Sequence, residues 1–490
     1  MGSCCSTKSK NHESHDTKPK SNFVEGKDFI KLIKDQPLTK AYRIVEKLGE
    51  GGYGSVKKVR QISTGRQFAC KTIKVKSQNT AGVSRLLKEV NILKALDHPN
   101  IIKIFEVYQD KTNIHIVQEL CTGGDLFDSI QKNKNFSENQ AAKYMLDICS
   151  VVMYCHEEGI VHRDLKPENL LLESQKPDAG IKVIDFGTSV CFTPNQKMKQ
   201  IIGTCYYMAP ELLRGNYDEK CDVWSCGIIL YILLSGYPPF NGRSDRQIQA
   251  RIMTSELEFK GKIWNSVSQE AKDLIQRMLT KNPSQRPSIK EVYNDQWIQT
   301  RGKNQCQDNV LGRSYLKNIA AFNIQSQLQR ATMSYIATQL LSKDETSELE
   351  RVFRALDENG DGKLSKNEIQ KGLEKNEVSI PLDVESIMAQ CDTDGNGFIN
   401  YSEFLTAAAN WYNVLSYEKL KQAFAKFDKD GDGHISLNEL RETLAGGSIK
   451  DSQITAMLNE ADTNGDGVID LDEFSAMMRG KVSEESSNRV

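Results

Sequence analysis

The sequence has no run of 18 apolar residues, so nothing in it reads as a transmembrane helix. No charged start leads into an apolar stretch, and no secretory signal is expected. Charge of one sign is also missing. The 64 Lys and Arg against 65 Asp and Glu leave a net charge of -1, and no global field points to nucleic acid. The 12 cysteines lack the spacing of a disulfide framework or a zinc site. Most stand singly in apolar segments such as "FACK" and "LDICSVVMYC", which fits a reducing, intracellular compartment. Cys4 and Cys5 stand apart from that pattern. One shortage is local: no Asp or Glu occurs between Gly187 and Glu211, although Lys197 and Lys199 do.

What is present suits several folded units. A chain of 490 residues exceeds one core and suggests about three domains. Residues 1–40 are polar and read as a flexible tail. From Tyr42 short alternating segments predict strands in "YRIVEKLG", "GSVKKVRQ" and "RQFACKTIKV". A helix is expected in "SRLLKEVNILKAL", with Leu86, Val90 and Leu93 on one face. After "IHIVQEL" the pattern turns helical, up to about Trp297. Residues 299–314 read as loop. An amphipathic helix is expected from Leu316, with Ile319, Ala320, Ile324, Leu328, Ala331 and Tyr335 near the same face.

Four acidic loops then repeat, their first residues Asp357, Asp392, Asp428 and Asp462 lying 35, 36 and 34 residues apart. They read "DENGDGKLSKNE", "DTDGNGFINYSE", "DKDGDGHISLNE" and "DTNGDGVIDLDE". Calcium takes six to eight oxygens at about 2.3–2.6 Å, and a 12-residue loop can present them from positions 1, 3, 5, 7 and 12. Those positions are Asp357, Asn359, Asp361, Lys363 and Glu368 in the first loop and Asp392, Asp394, Asn396, Phe398 and Glu403 in the second. In the third they are Asp428, Asp430, Asp432, His434 and Glu439, and in the fourth Asp462, Asn464, Asp466, Val468 and Glu473. Position 7 contributes its carbonyl, and Gly at position 6 permits the turn. Leu364, Ile399, Ile435 and Ile469 at position 8 predict short strands pairing the loops. The repeats resemble EF-hands arranged in two pairs, as in calmodulin. The C-terminal pair is expected to bind more tightly.

In "GEGGYGSV", Gly49, Gly51 and Gly54 have GxGxxG spacing between two strand-like segments, an unsuitable setting for a Rossmann unit. Lys71 lies in an apolar strand, and Glu89 on the following helix is a suitable partner. "HRDLKPEN" and "DFG" complete an ordered motif set. From Tyr42 to about Trp297 the chain resembles a eukaryotic protein kinase, with a β-rich N-lobe and a helical C-lobe. The resemblance implies that Asp164 takes the substrate hydroxyl proton, that Lys166 stabilises the transferring phosphoryl group, and that Asn169 and Asp185 hold Mg²⁺. It implies an ATP pocket of Leu48, Gly49, Gly51, Gly54, Val56, Ala69, Lys71, Gln118, Glu119 and Cys121, with Gln118 as gatekeeper. "KPEN" and Thr204 in "GTCYYMAPE" resemble Ser/Thr kinases. Glu211 is expected to pair with Arg286. Asp125 and Glu168 correspond to positions that receive substrate arginines, although most such kinases carry Glu where Asp125 stands. Arg163 lacks an evident acidic partner, and phosphorylated Ser189 or Thr193, or another part of the chain, remain alternatives.

The whole arrangement is similar to the calcium-dependent protein kinases of plants and protists. The fold class implied is multidomain α+β: a bilobal kinase followed by an all-α domain of four EF-hands. The expected division is a tail at 1–41, kinase at 42–298, autoinhibitory junction at 299–343, calmodulin-like domain at 344–480 and a flexible tail at 481–490. ATP, Mg²⁺ and up to four Ca²⁺ are implied. So is phosphorylation of protein Ser/Thr, switched when calcium-loaded EF-hands capture the junction helix. The alternatives are a catalytically weak calcium-responsive scaffold and a calcium-binding module. An ATP-to-peptide transfer assay separates them. No nucleic-acid partner and a monomer are expected.

The start "MGSCCS" fits the myristoylation pattern at Gly2, with Ser6 in register and Cys4 and Cys5 as palmitoylation sites. One myristoyl chain anchors only marginally, so a second signal is needed. Lys8, Lys10, Lys18 and Lys20 add attraction to an anionic leaflet. The cytoplasmic face of a membrane, the plasma membrane in particular, is the expected location.

Overall fold

The computed structural model describes residues 29–30, 32–34, 36–51, 54–74, 80–193, 196–303, 312–324, 326–378, 383–444 and 450–487. The lipidation residues Gly2, Cys4 and Cys5 lie outside them. The N-lobe is a six-stranded sheet of β1 (Leu32–Lys34), β2 (Tyr42–Gly51), β3 (Gly54–Gln61), β4 (Gln67–Lys74), β5 (Ile104–Gln109) and β6 (Asn113–Gln118). Its order is β1-β5-β6-β4-β3-β2. Only β1 pairs in parallel, Leu32 lying opposite Val107. Helix α1 (Thr80–Ala95) contributes buried Val90 and Leu93 to the core.

The C-lobe is built on two helices. Glu138–Glu157 is capped by Ser137, whose hydroxyl accepts from the Gln140 N–H. Lys220–Ser235 is buried almost all round, as a central helix must be. A buried pair ties the C-lobe together: Arg286 donates to both oxygens of Glu211, at 2.5 and 3.0 Å. Arg286 also lies over the Trp224 ring, 5.2 Å from its centroid.

Several boundaries differ from the sequence reading. The tail expected through residue 41 already contains β1, and Phe29, Ile30 and Leu38 are buried. The short apolar run around them finds partners: Phe29 packs on Tyr335 (5.0 Å between centroids) and Phe427 (5.9 Å). The loop expected from 299 is still helical through Gly302. At the far end the last helix, Leu471–Ser487, continues into the expected tail.

The single amphipathic junction helix is two helices, Gly312–Ala321 and Gln327–Tyr335, followed by a π-helical turn, Ile336–Leu340. Ser326 caps the second. Side-chain hydrogen bonds on the two sides of the break reach different EF-hand pairs. Asn318 donates to the Ala408 carbonyl (2.9 Å), and Gln329 donates to the carbonyls of Met477 and Met478 (both 3.3 Å). Leu316, Ile319, Ala320, Ile324, Leu328 and Ala331 are buried in the EF-hand core, with Tyr335 packed against it.

The EF-hand unit sits against the kinase. Ser402 donates its backbone N–H and hydroxyl to Asp97 (2.8 and 2.9 Å), Lys363 pairs with Glu158 (2.6 Å), and Arg354 pairs with Asp147. The Ser150 hydroxyl donates to the Gly360 carbonyl in the first acidic loop (2.8 Å). Near the strands of the N-lobe, Arg66 donates to the junction carbonyls of Gln339 (2.9 Å) and Leu341 (3.4 Å).

Candidate active site and calcium loops

Lys71 on β4 and Glu89 on α1 meet at 2.7 Å, and the same ammonium lies 3.1 Å from Asp185. Burial opposes the lysine charge, but Glu89 and Asp185 together outweigh it and raise the Lys71 pKa. The converse holds for Asp185. Burial disfavours its ionisation, and Lys71 more than compensates, so its pKa is lowered. Asp185 and Arg163 have φ of 64° and 70°, conformations that cost energy in a non-glycine residue. Lys71 and Asp185 therefore stay charged at one end of the cleft.

Asp164 is fixed from two sides. One oxygen accepts from the Thr204 N–H (2.8 Å) and hydroxyl (2.7 Å), and the other lies 3.1 Å from Lys166. Lys166 also donates to the Thr204 hydroxyl (2.8 Å). The Asn169 amide donates to the Asp164 carbonyl at 2.9 Å, which leaves its oxygen available to a cation. The donor set of Asn169 oxygen and Asp185 carboxylate suits Mg²⁺, a hard cation that takes oxygen ligands.

The pocket residues divide by what they touch. Ala69 and Gln118 are buried and face each other across β4 and β6. Leu48 is half exposed, Val56 is partly buried, and burial raises the Cys121 thiol to about 12. The Glu119 carboxylate faces Lys182 (3.5 Å) and Lys343 (3.6 Å), so its side chain is committed to the EF-hand side. Gly49 and Gly51 lie on β2, and a Cβ at Gly49 would meet nothing within 4 Å. At Gly54 it would lie 2.0 Å from the Thr72 carbonyl oxygen. That glycine is therefore required by strand packing, whatever it does for phosphate.

Of the two acids assigned to substrate arginines, Glu168 is exposed. Asp125 caps the helix Leu126–Asn133 by accepting from the Asp128 N–H (2.8 Å), and burial, with Asp128 beside it, raises its pKa. Sequence reasoning missed Tyr217. Its hydroxyl accepts from Arg163 (3.1 Å) and donates to the Gln200 carbonyl (2.7 Å). No local pattern marks it, because its partner Arg163 lies 54 residues away.

All four acidic loops close on their own backbone. In the first, Asp357 accepts from the N–H groups of Gly360 (2.7 Å) and Gly362 (2.9 Å). Asp392, Asp428 and Asp462 likewise accept from Gly397, Gly433 and Gly467. The position-6 glycines have φ of 78°, 85°, 91° and 86°, where other residues are strained. Glu368, Glu403, Glu439 and Glu473 turn back to accept from the N–H groups of Asn359, Asp394, Asp430 and Asn464. Short strands pair the loops, Leu364 opposite Ile399 and Ile435 opposite Ile469. Carboxylates converge: oxygens of Asp392, Asp394 and Glu403, and of Asp428, Asp430 and Asp432, lie within 4.8 Å of one another. Burial and then Asp361 push Asp357 up to about 8, and burial pushes Glu403 up to about 8. A divalent cation relieves both penalties, so the donor sets fit Ca²⁺. Asn359, Asn396 and Asn464 would offer amide oxygens to such an ion, and Lys363, Phe398, His434 and Val468 stand at the carbonyl position of their loops.

Comparison with known proteins agrees with this architecture. Residues 42–298 match the protein kinase domain family, and 346–409 and 417–479 each match the EF-hand domain pair. The chain is 40% identical to calcium-dependent protein kinase 4 of Plasmodium berghei over 89% of its length and 86% of the relative's. It is 40% identical to calcium-dependent protein kinase 5 of Plasmodium falciparum, over 92% and 80%. Calcium-dependent protein kinase 14 of Arabidopsis thaliana is 37% identical over 98% and 93%. A bilobal kinase with an assembled Lys71–Glu89 pair, continuous with four closed acidic loops, thus places this chain in the calcium-dependent protein kinase family.

Proposed function

We propose that this calcium-activated serine/threonine kinase works through Asp164, with Lys71, Glu89, Lys166, Asn169 and Asp185 as its supporting groups. The arrangement of Asp164 between Thr204 and Lys166 carries the reading. Both carboxylate oxygens are oriented, so one can take the proton of a substrate Ser or Thr hydroxyl as that oxygen attacks the γ-phosphorus of ATP. Lys166 offers positive charge where the transferring group gains negative charge. Lys71, aimed by Glu89, holds phosphate. Bound Mg²⁺ neutralises the polyphosphate, and Asn169 and Asp185 would hold it. Glu168 and Asp125 face substrates with nearby basic residues. The test is transfer from ATP to a serine peptide by the full chain with Mg²⁺ and Ca²⁺. Asp164→Asn should lose several orders of magnitude while calcium binding persists. Undiminished turnover would reject the assignment.

Regulation follows from the second half. Each loop takes one Ca²⁺, four in all, the C-terminal pair more tightly. That order is supported by charge: the third loop carries Asp at positions 1, 3 and 5, and the fourth adds Asp470 at position 9. At rest the junction inhibits the kinase, and loaded EF-hands hold it instead. Burial of the junction's apolar face in the EF-hand core supports the second half of that cycle.

The chain also works as a monomer anchored to the cytoplasmic face of a membrane, the plasma membrane first, by myristate on Gly2 and palmitate on Cys4 or Cys5. The support is the motif, together with the need for two anchors. Cell fractionation tests it: Gly2→Ala should be soluble, and Cys4→Ser/Cys5→Ser should bind weakly. A soluble, unmodified wild type would defeat it.

A further inference from the structure

Arg163, beside the catalytic carboxylate of Asp164, holds the start of the activation segment, the stretch from Thr188 to Thr204. It is 8% exposed, and its guanidinium donates through Nε to the Thr188 carbonyl (2.7 Å) at the start of the segment. A second nitrogen donates to the same carbonyl. The third reaches the Tyr217 hydroxyl at 3.1 Å. A buried guanidinium normally finds a carboxylate or phosphate. The segment from 188 to 204 has no acidic residue.

Tyr217 fills that position by joining three strands of chain. It is fully buried, and its hydroxyl passes a hydrogen bond on to the Gln200 carbonyl (2.7 Å). Its backbone pairs with Met198 in both directions (2.8 and 3.2 Å). The next residue, Asp218, pairs with Lys197. The segment is thus fixed at Thr188 by Arg163, at Met198 and Gln200 by Tyr217, and at Thr204 by Asp164.

The segment's hydroxyls leave little scope for a phosphate. Thr188 and Ser189 are directed at the His162 carbonyl (2.9 and 3.4 Å), and Ser189 is buried. Thr204 is committed to Asp164. Only Thr193 among them is exposed.

We propose that Tyr217 is a positioning residue for phosphoryl transfer: its hydroxyl couples Arg163 to the activation segment in the role an acid or phosphate would take, so the unmodified segment is already competent. This rests on the kinase reading, but the two fail differently. Asp164→Asn asks whether transfer occurs, whereas Tyr217 is tested by comparing unmodified chains that both transfer.

The test uses the full chain, phosphatase-treated and verified by mass spectrometry, with saturating Ca²⁺. Treated wild type and Thr193→Ala should keep kcat within about twofold of untreated protein. Tyr217→Phe keeps the ring and removes only the hydroxyl. It should lower kcat about tenfold with KM for ATP nearly unchanged, and the thermal midpoint should fall by only a few degrees, so the protein stays folded at assay temperature. Arg163→Met should lower kcat similarly, and the double variant should fall no further than the single ones. Wild-type kcat in Tyr217→Phe, additive losses in the double variant, or a loss beyond fivefold on phosphatase treatment would each overturn the proposal.

Discussion

Asp97 of the kinase caps a helix of the EF-hand unit: both of its oxygens accept from Ser402, one from the N–H and one from the hydroxyl. Ser402 lies in the first turn of the helix Tyr401–Ala408, which begins within the second acidic loop. Helix N-termini have amides without helical partners, and a carboxylate there is stabilising. Asp97→Ala should weaken docking by about 1 kcal/mol, a roughly fivefold effect. The measurement is the free calcium for half-maximal activity, which should rise severalfold. An unmoved curve would show that this contact does not participate in activation.

The closing glutamates of the C-terminal loops supply two oxygens each when calcium is bound. Glu439→Gln with Glu473→Gln should raise the half-activating calcium at least tenfold, or abolish the response. Direct calcium titration by calorimetry should lose the tightest sites in parallel. If those sites vanished while activation stayed intact, the N-terminal pair would be the switch.

Glu211 and Arg286 form a bidentate pair with almost no exposure. Removing one member leaves the other charge buried alone, which costs about 3–5 kcal/mol. Glu211→Ala should therefore lower the denaturation midpoint of the kinase unit sharply. A shift within error would mean that water or another residue takes over the arginine.

A pH effect is expected from His98. The Asn100 N–H donates to its Nδ1 (3.0 Å), so Nε2 carries the proton and faces the Ser150 hydroxyl (2.9 Å). Burial, then Arg354 and Lys182, lowers its pKa well below the ordinary value. Native protein therefore keeps His98 neutral, while unfolded chains protonate it below about pH 6.5. Its contribution to stability is complete above that pH and declines by about 1.4 kcal/mol per unit below it. Denaturation midpoints between pH 7.5 and 5.5, at saturating calcium, should fall less steeply in His98→Asn than in wild type. Parallel slopes would remove His98 from the account.

The features legible in the sequence are those set by contiguous residues. A 12-residue loop carries its own turn glycines and ligands, and "HRDLKPEN" folds around its own backbone, so Asp357, Asp164 and their neighbours could be found by spacing. The Lys71–Glu89 pair followed from an ammonium in an apolar strand with an acid on the next helix, whereas Glu211–Arg286 was reached only through the kinase resemblance. Helical periodicity ran on across residues 322–326 because the apolar positions stay nearly in phase, and it could not reveal that Asn318 and Gln329 reach different EF-hand pairs. Phe29, Asp97 and Tyr217 were not legible. Their importance comes from partners such as Tyr335, Ser402 and Arg163, which lie far away in sequence and leave no local pattern.

The Ser150 hydroxyl on the Gly360 carbonyl joins a kinase helix directly to the backbone of the first acidic loop. A Cβ on Gly360 would lie 2.0 Å from the Tyr293 ring, so the loop and the kinase are packed without slack. Coupled equilibria are reciprocal: if filling this loop tightens docking by some factor, docking tightens filling by the same factor. Calcium affinity here then belongs to the whole chain, not to twelve residues. Any ligand of the catalytic cleft that favours the docked arrangement would, by the same reciprocity, raise the calcium occupancy of this loop at fixed free calcium.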